Sequence, residues 1–300
     1  MLHENKEDFT KILRQVAMQT GFLLPLVEKD YYLTLVLSQV HELSPYLIFK
    51  GGTCLNKIYF SYFRLSEDLD FSMLLPEGTI TRSIRSKRMK TIKENIEEFA
   101  SKFGLHVENV ESAGRNESKQ YVYNFIYQSC ILPVEAKIKI EIGLRFNPLC
   151  VPENKSVHHR FTHPFTGQPL FDGGNVNCLA LNELIAEKLR AAATRKTIAP
   201  RDFYDLDFVL RNGYNLATPV ILSLFKQKLA EDNADADLSK YLLNLGRGDS
   251  EIKDMNSRIK EELFAVLTPE ERKNFELIAA LERINKALNK DLIESFRTNI

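Results

Sequence analysis

Phe49-Lys50-Gly51-Gly52-Thr53, followed by Arg64-Leu65-Ser66-Glu67-Asp68-Leu69-Asp70-Phe71, decides how this chain is read. The first stretch ends the apolar run Tyr46-Leu47-Ile48-Phe49, a short buried strand by its pattern. Two glycines directly after a strand let the backbone approach a phosphate closely, and a helix starting there offers free N–H groups to an anion. Residues 54–62 have a helical pattern, and Thr53 is the expected cap. In the second stretch polar and apolar side chains alternate from Asp68 to Leu74, as on a half-buried strand. Asp68 and Asp70 then project from one face. Adjacent carboxylates repel, and a hard cation with oxygen ligands relieves that repulsion. Mg²⁺ (or Mn²⁺) suits the arrangement and keeps substrate phosphates as further ligands. Asp-x-Asp by itself is equally the mark of a solvated strand face. The strand, the Gly-Gly turn and their order are what point to a metal–phosphate site.

Outward from this stretch the pattern divides. Upstream, Phe9, Ile12, Leu13, Val16 and Ala17 recur at helical spacing, and a second helical segment runs from Lys29 to Val40 until Ser44-Pro45. Downstream, residues 81–103 read as one helix with the stripe Ile84, Ile92, Ile96, Phe99 and Phe103, closed by Gly104. Its first half is basic, with Arg82, Arg85 and Arg88 among Lys87, Lys90 and Lys93. Strands are expected over 105–110, 120–127 and 135–144. In the last, Ile138, Ile140 and Ile142 face one way and Lys137, Lys139 and Glu141 the other. Residues 145–177 read as loops with short strands. From Cys178 onward the pattern is helical, with polar breaks near 232–237 and 246–250. Two domains follow: a mixed α/β half over residues 1–170 with N-terminal helices, and a helical half over 171–300.

Further chemistry is scattered along this frame. Glu141 is either a third carboxylate beside Asp68 and Asp70 or an ordinary surface Glu paired with Lys139. Glu183, Glu187 and Arg190 share one helix face, with Lys188 one step round. Lys188 and Arg195 suit triphosphate oxygens as point charge and fork. Asp202 or Asp205 is placed to orient Lys188 or Arg201; a salt-bridged surface pair is the alternative. The basic helix face with Arg82, Arg85 and Arg88 is either an RNA contact or a solvated face. His158, His159 and His163 lack companion ligands and read as loop residues. The run from Phe275 to Leu288 (Ile278, Ala279, Leu281, Ile284 and Leu288) reads as a core-facing helix.

Composition narrows the classes. Of 300 residues, 44% are apolar and 27% charged, as in a globular chain. Forty basic residues balance 40 acidic ones, which excludes a generic polycation coating nucleic acid but not a local basic face. Cys54, Cys130, Cys150 and Cys178 have no paired spacing; buried free thiols in a reducing, cytoplasmic setting are expected. The polar start Met1-Leu2-His3-Glu4 has no signal layout, and no apolar run reaches membrane-spanning length, so no membrane partner is expected.

Taken together these motifs resemble the AbiEii family of nucleotidyltransferase-like toxins of bacterial abortive-infection and toxin–antitoxin systems. The resemblance rests on Lys50-Gly51-Gly52-Thr53-Cys54-Leu55, on Arg64, Ser66, Asp68, Asp70 and Phe71, on Ala186-Glu187-Lys188-Leu189-Arg190-Ala191, and on Arg201-Asp202-Phe203-Tyr204-Asp205. Glu28-Lys29-Asp30-Tyr31 is similar to the family's N-terminal segment, and Lys139-Ile140-Glu141 to its third-carboxylate strand. The resemblance implies an α+β fold, a polymerase-β-like nucleotidyltransferase core with a mixed sheet, joined to a C-terminal helical domain. It implies metal binding by Asp68 and Asp70. It also implies nucleotide contacts from Ser66 and Lys188, and an active-site aspartate at Asp202 or Asp205. Lys50, Gly51, Gly52, Thr53, Arg64 and Arg195 would line the nucleotide. It implies an NTP substrate, transfer to an RNA acceptor, the tRNA 3′ end, with arrest of translation, and a neighbouring AbiEi-like DNA-binding antitoxin. Modification of a protein by the same fold, and a non-catalytic binding module, are the competing readings. The intact glycines, carboxylates and Lys188 argue against the module.

Overall fold

A computed structural model describes residues 1–232 and 247–297, with side chains to residue 288. The polar break expected near 232–237 falls largely outside the described residues; at that near 246–250, Arg247 and Gly248 precede a helix that starts at Asp249. Two compact units appear, Met1–Leu179 and Ala180–Ile300. The division falls later than residue 170, because the strand β8 (Asn175–Cys178) pairs with the first strand and belongs to the first unit.

The first unit is built on a mixed sheet. Its strands are β1 (Leu47–Lys50), β2 (Asp68–Met73), β3 (His106–Glu108), β4 (Gly114–Arg115), β5 (Gln120–Gln128), β6 (Glu135–Gly143), β7 (Glu153–Ser156) and β8. The spatial order is β3-β5-β6-β2-β1-β8-β7, with β4 added beside β5. β2 runs antiparallel to β1 and parallel to β6. Period-2 alternation is kept across the centre: Leu69, Phe71, Tyr123, Phe125, Ile138, Ile140 and Ile142 are buried on one face. Helix α2 (Leu24–Leu43) packs against β6 and β8, and α5 (Lys90–Ser101) against α2 and β3. Ring contacts fasten this layer, Tyr32 on Tyr127 at 4.1 Å and Phe99 on Phe125 at 6.4 Å. Helix α1 (Lys6–Thr20), capped by Asn5, lays Phe9, Leu13 and Val16 on α2.

Three local readings change. The segment after β1 is a short α-helix, α3 (Gly51–Cys54), continued by a π-turn, Leu55–Tyr59. Lys50, not Thr53, stands at its N-cap. Thr53 lies inside the helix, and its hydroxyl serves the site instead. The helix expected over 81–103 is two, α4 (Arg82–Arg88), capped by Thr81, and α5, broken at Met89, whose side chain is fully buried. Gly104 adopts a left-handed φ of 68°, and Leu105 N–H bonds the Ala100 carbonyl, which ends α5 as anticipated.

The π-turn and α2 share a buried polar knot that the pattern reading did not find. Lys57 is fully buried; its ammonium meets Asp30 at 2.7 Å and donates to Thr34 and Tyr62, both at 2.9 Å. Tyr62 in turn donates to the second Asp30 oxygen at 2.5 Å. Tyr62 and Ser61 have left-handed φ values, 72° and 42°, which β-carbon crowding disfavours outside glycine. The knot thus ties the strained stretch before Arg64 to α2. Next to it, buried Glu28 accepts bonds from Ser129 Oγ at 2.5 Å and Cys130 N–H at 2.7 Å.

The second unit is helical: α6 (Leu181–Thr194), α7 (Pro200–Arg211), α8 (Pro219–Glu231), and helices over Asp249–Glu262, Pro269–Asn274 and Leu277–Arg297. The last helix turns Leu277, Ala280, Leu281, Ile284 and Leu288 inward, while Ile278 is exposed. Among the described residues no helix is long and apolar enough to cross a membrane. Of the cysteines, Cys54 and Cys178 are buried, while Cys130 and Cys150 are only partly so; none of the four is in a disulfide.

The knot gives a stability test. Asp30→Ala strands the Lys57 ammonium in the core and is expected to cost about 3–5 kcal/mol in urea unfolding. The double variant Asp30→Leu/Lys57→Met should recover part of that loss. Equal stability of Asp30→Ala and wild type would refute the account.

Candidate functional site: the Gly51–Asp70–Glu141 face

The register of three strands makes the site. Lys50 on β1 lies opposite Asp70 on β2, and Asp70 lies opposite Glu141 on β6; Asp68 lies opposite Lys139. Because side chains alternate, Asp68, Asp70, Lys139 and Glu141 share the face turned away from α2. Asp68 keeps 46% of its side chain exposed and Glu141 33%, so a ligand can reach them.

Gly51 closes over this face. It has a φ of +77°, and a β-carbon there would sit 2.5 Å from an Asp70 carboxylate oxygen. No larger residue fits both the left-handed backbone and that approach. Gly52 meets a different neighbour: a β-carbon would fall within 2.3 Å of the Arg64 guanidinium. Arg64 is buried, donates to the Leu65 carbonyl at 2.9 Å and lies over the Phe63 ring. Its contact with Gly52 makes it a shaper of the turn. Thr53 Oγ1 donates to the Asp68 carbonyl at 2.5 Å and is hydrogen-bonded with Ser66 Oγ at 2.7 Å. The Gly-Gly turn, Ser66 and the start of β2 are therefore one bonded assembly. Lys29 reaches Glu67 at 3.0 Å and holds the same stretch to α2.

The electrostatics are those of crowded carboxylates. Burial pushes the Asp70 carboxyl up to about 6, and the Glu141 and Asp68 charges add to it against Lys50 and Lys139. Lys139 bridges Asp68 at 3.3 Å and Glu141 at 3.5 Å. Burial pulls the Lys139 ammonium down, but Asp68, Glu141 and Asp70 outweigh it and leave it above its ordinary value. Gln120 donates to Glu141 at 2.7 Å. Both readings of Glu141 are thus present: it stands beside Asp70 and pairs with Lys139. Among the described residues no three His, Cys, Asp or Glu side chains are gathered into a ready metal cluster. The donor set still fits a divalent cation. Hard carboxylate oxygens stand side by side, and a lysine occupies the cationic place between two of them.

The second unit carries its own charged cluster. Lys188 on α6 meets Asp202 at 2.9 Å and Asp205 at 2.7 Å, both from α7. Arg195 meets the other Asp202 oxygen at 2.9 Å. Asp202 therefore holds two cations, while Asp205 is fully buried against Lys188. Arg201, considered with these aspartates, bonds the Glu262 carbonyl. Glu183 and Glu187 converge on Lys228 of α8, at 2.7 and 3.4 Å, and Arg190 pairs with Asp232.

Two other sequence candidates sit differently. Arg85 is buried, and its guanidinium donates to the Ile80 and Glu117 carbonyls, so it braces loops instead of facing RNA; Arg82 is exposed and Arg88 half-buried. His159 stacks on Phe171 at 4.2 Å and bonds its carbonyl, and burial lowers its basicity. His163 accepts from the Phe165 and Thr166 N–H groups, so these histidines build turns. Missed from sequence were Lys57, Gln120 and Lys228. Each acts through a partner distant along the chain, and no short motif marks it.

Comparison with known proteins bears on the family and the fold. No curated protein matches the chain. Among solved structures it is similar to MenT4, a nucleotidyltransferase toxin from Mycobacterium tuberculosis H37Rv, at 17% identity over 93% of this chain and 87% of that one, with a TM-score of 0.64. A putative nucleotidyltransferase from H. pylori aligns at 16% identity over 88% of this chain and 92% of that one, with a TM-score of 0.51. JHP933 from Helicobacter pylori aligns at 16% identity over 93% and 98%, with a TM-score of 0.50. At these identities the likeness shows the fold, the mixed α+β architecture expected from the motifs. The profile described as "Nucleotidyl transferase AbiEii toxin, Type IV TA system" matches residues 35–297, a span that contains β1, β2, β6 and the α6–α7 charge cluster, so the chain belongs to the AbiEii family of nucleotidyltransferase toxins.

Proposed function

We propose that this nucleotidyltransferase toxin transfers a nucleotide from an NTP to an RNA acceptor, the 3′ end of tRNA, with a divalent cation, Mg²⁺ or Mn²⁺, held by Asp68 and Asp70. The observation that carries the reading is the register placing Asp70 between Gly51 and Glu141, with its carboxyl pushed up to about 6 by burial and neighbouring charge. Such a face gains from a bound cation, and a Gly-Gly turn at the start of a helix suits phosphate.

The chemistry is a displacement at the α-phosphorus. The acceptor hydroxyl oxygen forms the new P–O bond, the bond to the bridging oxygen breaks, and pyrophosphate leaves. The cation, when bound, offsets the negative charge that builds on the phosphate oxygens. The chain's own residues do the rest. We assign receipt of the hydroxyl proton to Glu141, oriented by Gln120. Gly51, Gly52 and Ser66 cradle the triphosphate, with Thr53 holding Ser66 and Arg64 shaping the turn. Lys50, which already lowers the Asp70 carboxyl, adds positive charge beside it. Lys188 and Arg195 are assigned to triphosphate oxygens and Asp202 to holding both; Asp205 fixes Lys188 from the buried side. Transfer to tRNA would block translation, in keeping with the toxin family. The cognate antitoxin is assigned to the AbiEi-like DNA-binding class and the site of action to the cytoplasm, with abortive infection of phage-infected cells as the setting.

Incubation with total tRNA, Mg²⁺ and each labelled NTP in turn tests the reading. Label should reach tRNA with wild type and fall at least about a thousandfold with Asp68→Ala. Label on a protein band in place of tRNA would move the acceptor class, and unchanged transfer by Asp68→Ala would overturn the metal assignment.

A second measurement does not need turnover. Removing the Asp70 charge relieves crowding, so Asp70→Asn is expected to stabilise the metal-free protein by about 1–2 kcal/mol at pH 7.5. The sign follows from a folded-state carboxyl raised above its unfolded value: its ionisation costs stability as pH rises from about 4 through about 6. Mg²⁺ should raise the melting temperature of wild type and leave Asp70→Asn nearly unmoved; equal shifts in both would refute the site.

A further inference from the structure

The first unit carries a second surface whose chemistry the carboxylate face does not use. A cavity of about 470 Å³ opens among Leu43, Pro45, Tyr46, Pro76, Ile84 and Arg88. The Arg88 guanidinium lies over the Tyr46 ring at 3.7 Å, and Tyr46 is 42% exposed. Lys87 lines this cavity and also a neighbouring groove of about 720 Å³ with Arg82, Lys90, Lys93 and Glu94. In the groove four cations face one carboxylate, and that carboxylate reaches Lys90 only at 3.7 Å. Lys93 is further held over the Tyr121 ring at 4.8 Å. An overall neutral chain has thus concentrated positive charge on one helix pair, beside a cavity lined by apolar side chains and by the stacked Tyr46 and Arg88.

Tyr46 directly precedes β1, whereas Lys50 and Gly51 stand at the strand's other end. Four residues of strand separate the two by about 13 Å. The cavity therefore lies at the opposite end of β1 from the Gly-Gly turn.

We propose that the Tyr46–Arg88 cavity and the Arg82–Lys93 groove together bind single-stranded RNA, with one base stacked in the cavity and the neighbouring phosphates in the groove. Charge complementarity selects a polyanion. The cavity selects one with flat apolar rings, because bases stack on Tyr and on Arg guanidinium planes. An acidic protein segment would satisfy the groove but leave the Tyr46 slot without a function. The inference deepens the RNA-acceptor reading and rests on it for biological meaning, but binding is separable from transfer.

The test is equilibrium binding of a labelled ten-nucleotide oligoadenylate RNA to the full chain by fluorescence anisotropy, across a salt series. Tyr46→Ala should weaken binding about tenfold at every salt concentration with the salt slope unchanged, and Tyr46→Phe should bind like wild type. Lys87→Ala with Lys93→Ala should lower the slope by about 1.4. Circular dichroism melting of each variant checks that the fold is kept. Failure of wild type to bind at low salt, or wild-type affinity in Tyr46→Ala, overturns the proposal. So does displacement of the RNA by polyglutamate at equal charge, since that assigns the surface to an acidic protein partner. RNA binding that depends on Tyr46 in a protein that transfers nothing to RNA would sink the acceptor reading alone. Transfer to RNA with an unaltered KM in all these variants would sink this inference alone.

Discussion

Everything on the carboxylate face depends on the register of β2. A strand has a period of two, so sliding β2 by one residue against β1 and β6 would bury Asp68 and Asp70 and expose Leu69 and Phe71. The apolar side guards against that slip. Leu69 and Phe71 are fully buried, and Phe71 stacks near Phe49 at 5.4 Å. The hydrophobic effect thus positions charged groups it never touches. Gly51 completes the constraint from above, because its missing β-carbon is the space that Asp70 occupies.

Stability and chemistry pull against each other at this place. Carboxylates held side by side, one of them raised to about 6, cost folding free energy that a solvated strand face would not. The chain recovers it nearby, through Lys139 between Asp68 and Glu141 and through deep apolar packing under the sheet. The helical unit uses another arrangement. Its buried acids among the described residues, Glu183, Asp202, Asp205 and Asp207, each have a cation within 2.6–3.0 Å. Paired burial of this kind adds little net stability, but loss of one partner is expensive, so it fixes helix register more than it strengthens it.

The central strands were legible because burial on one face imposes an alternation that local sequence displays, as in Ile138-Lys139-Ile140-Glu141. The Gly-Gly turn was legible because glycine before a helix has few other uses. Thr53 was misplaced by two effects together: helix α3 begins at Gly51, and the Thr hydroxyl is claimed by Asp68 and Ser66 across the turn. Arg85 belongs to a basic run in sequence, yet it lies one turn before the buried Met89 and turns inward with it, while Arg82, the first residue of α4, is exposed. The break at Met89 was hidden because the apolar stripe continues across it. Lys57 and Lys228 look like surface lysines in any window. Only long-range partners, Asp30 and Glu183, make them core residues. Side-chain pairing across the fold has no local signature, and that is where sequence reasoning ended.

The parallel pairing of β2 with β6 bears on how such a protein is made. Asp70 and Glu141 become neighbours only through this long-range pairing, and β1 gains its other neighbour, β8, later still. Contacts of such separation form late, after local hairpins and helices. A nascent chain that has emerged only through β5 therefore has its Gly-Gly turn and both aspartates but not the strand that crowds them. A chain cut short before β6 therefore lacks the Glu141 and Lys139 side of the carboxylate face altogether.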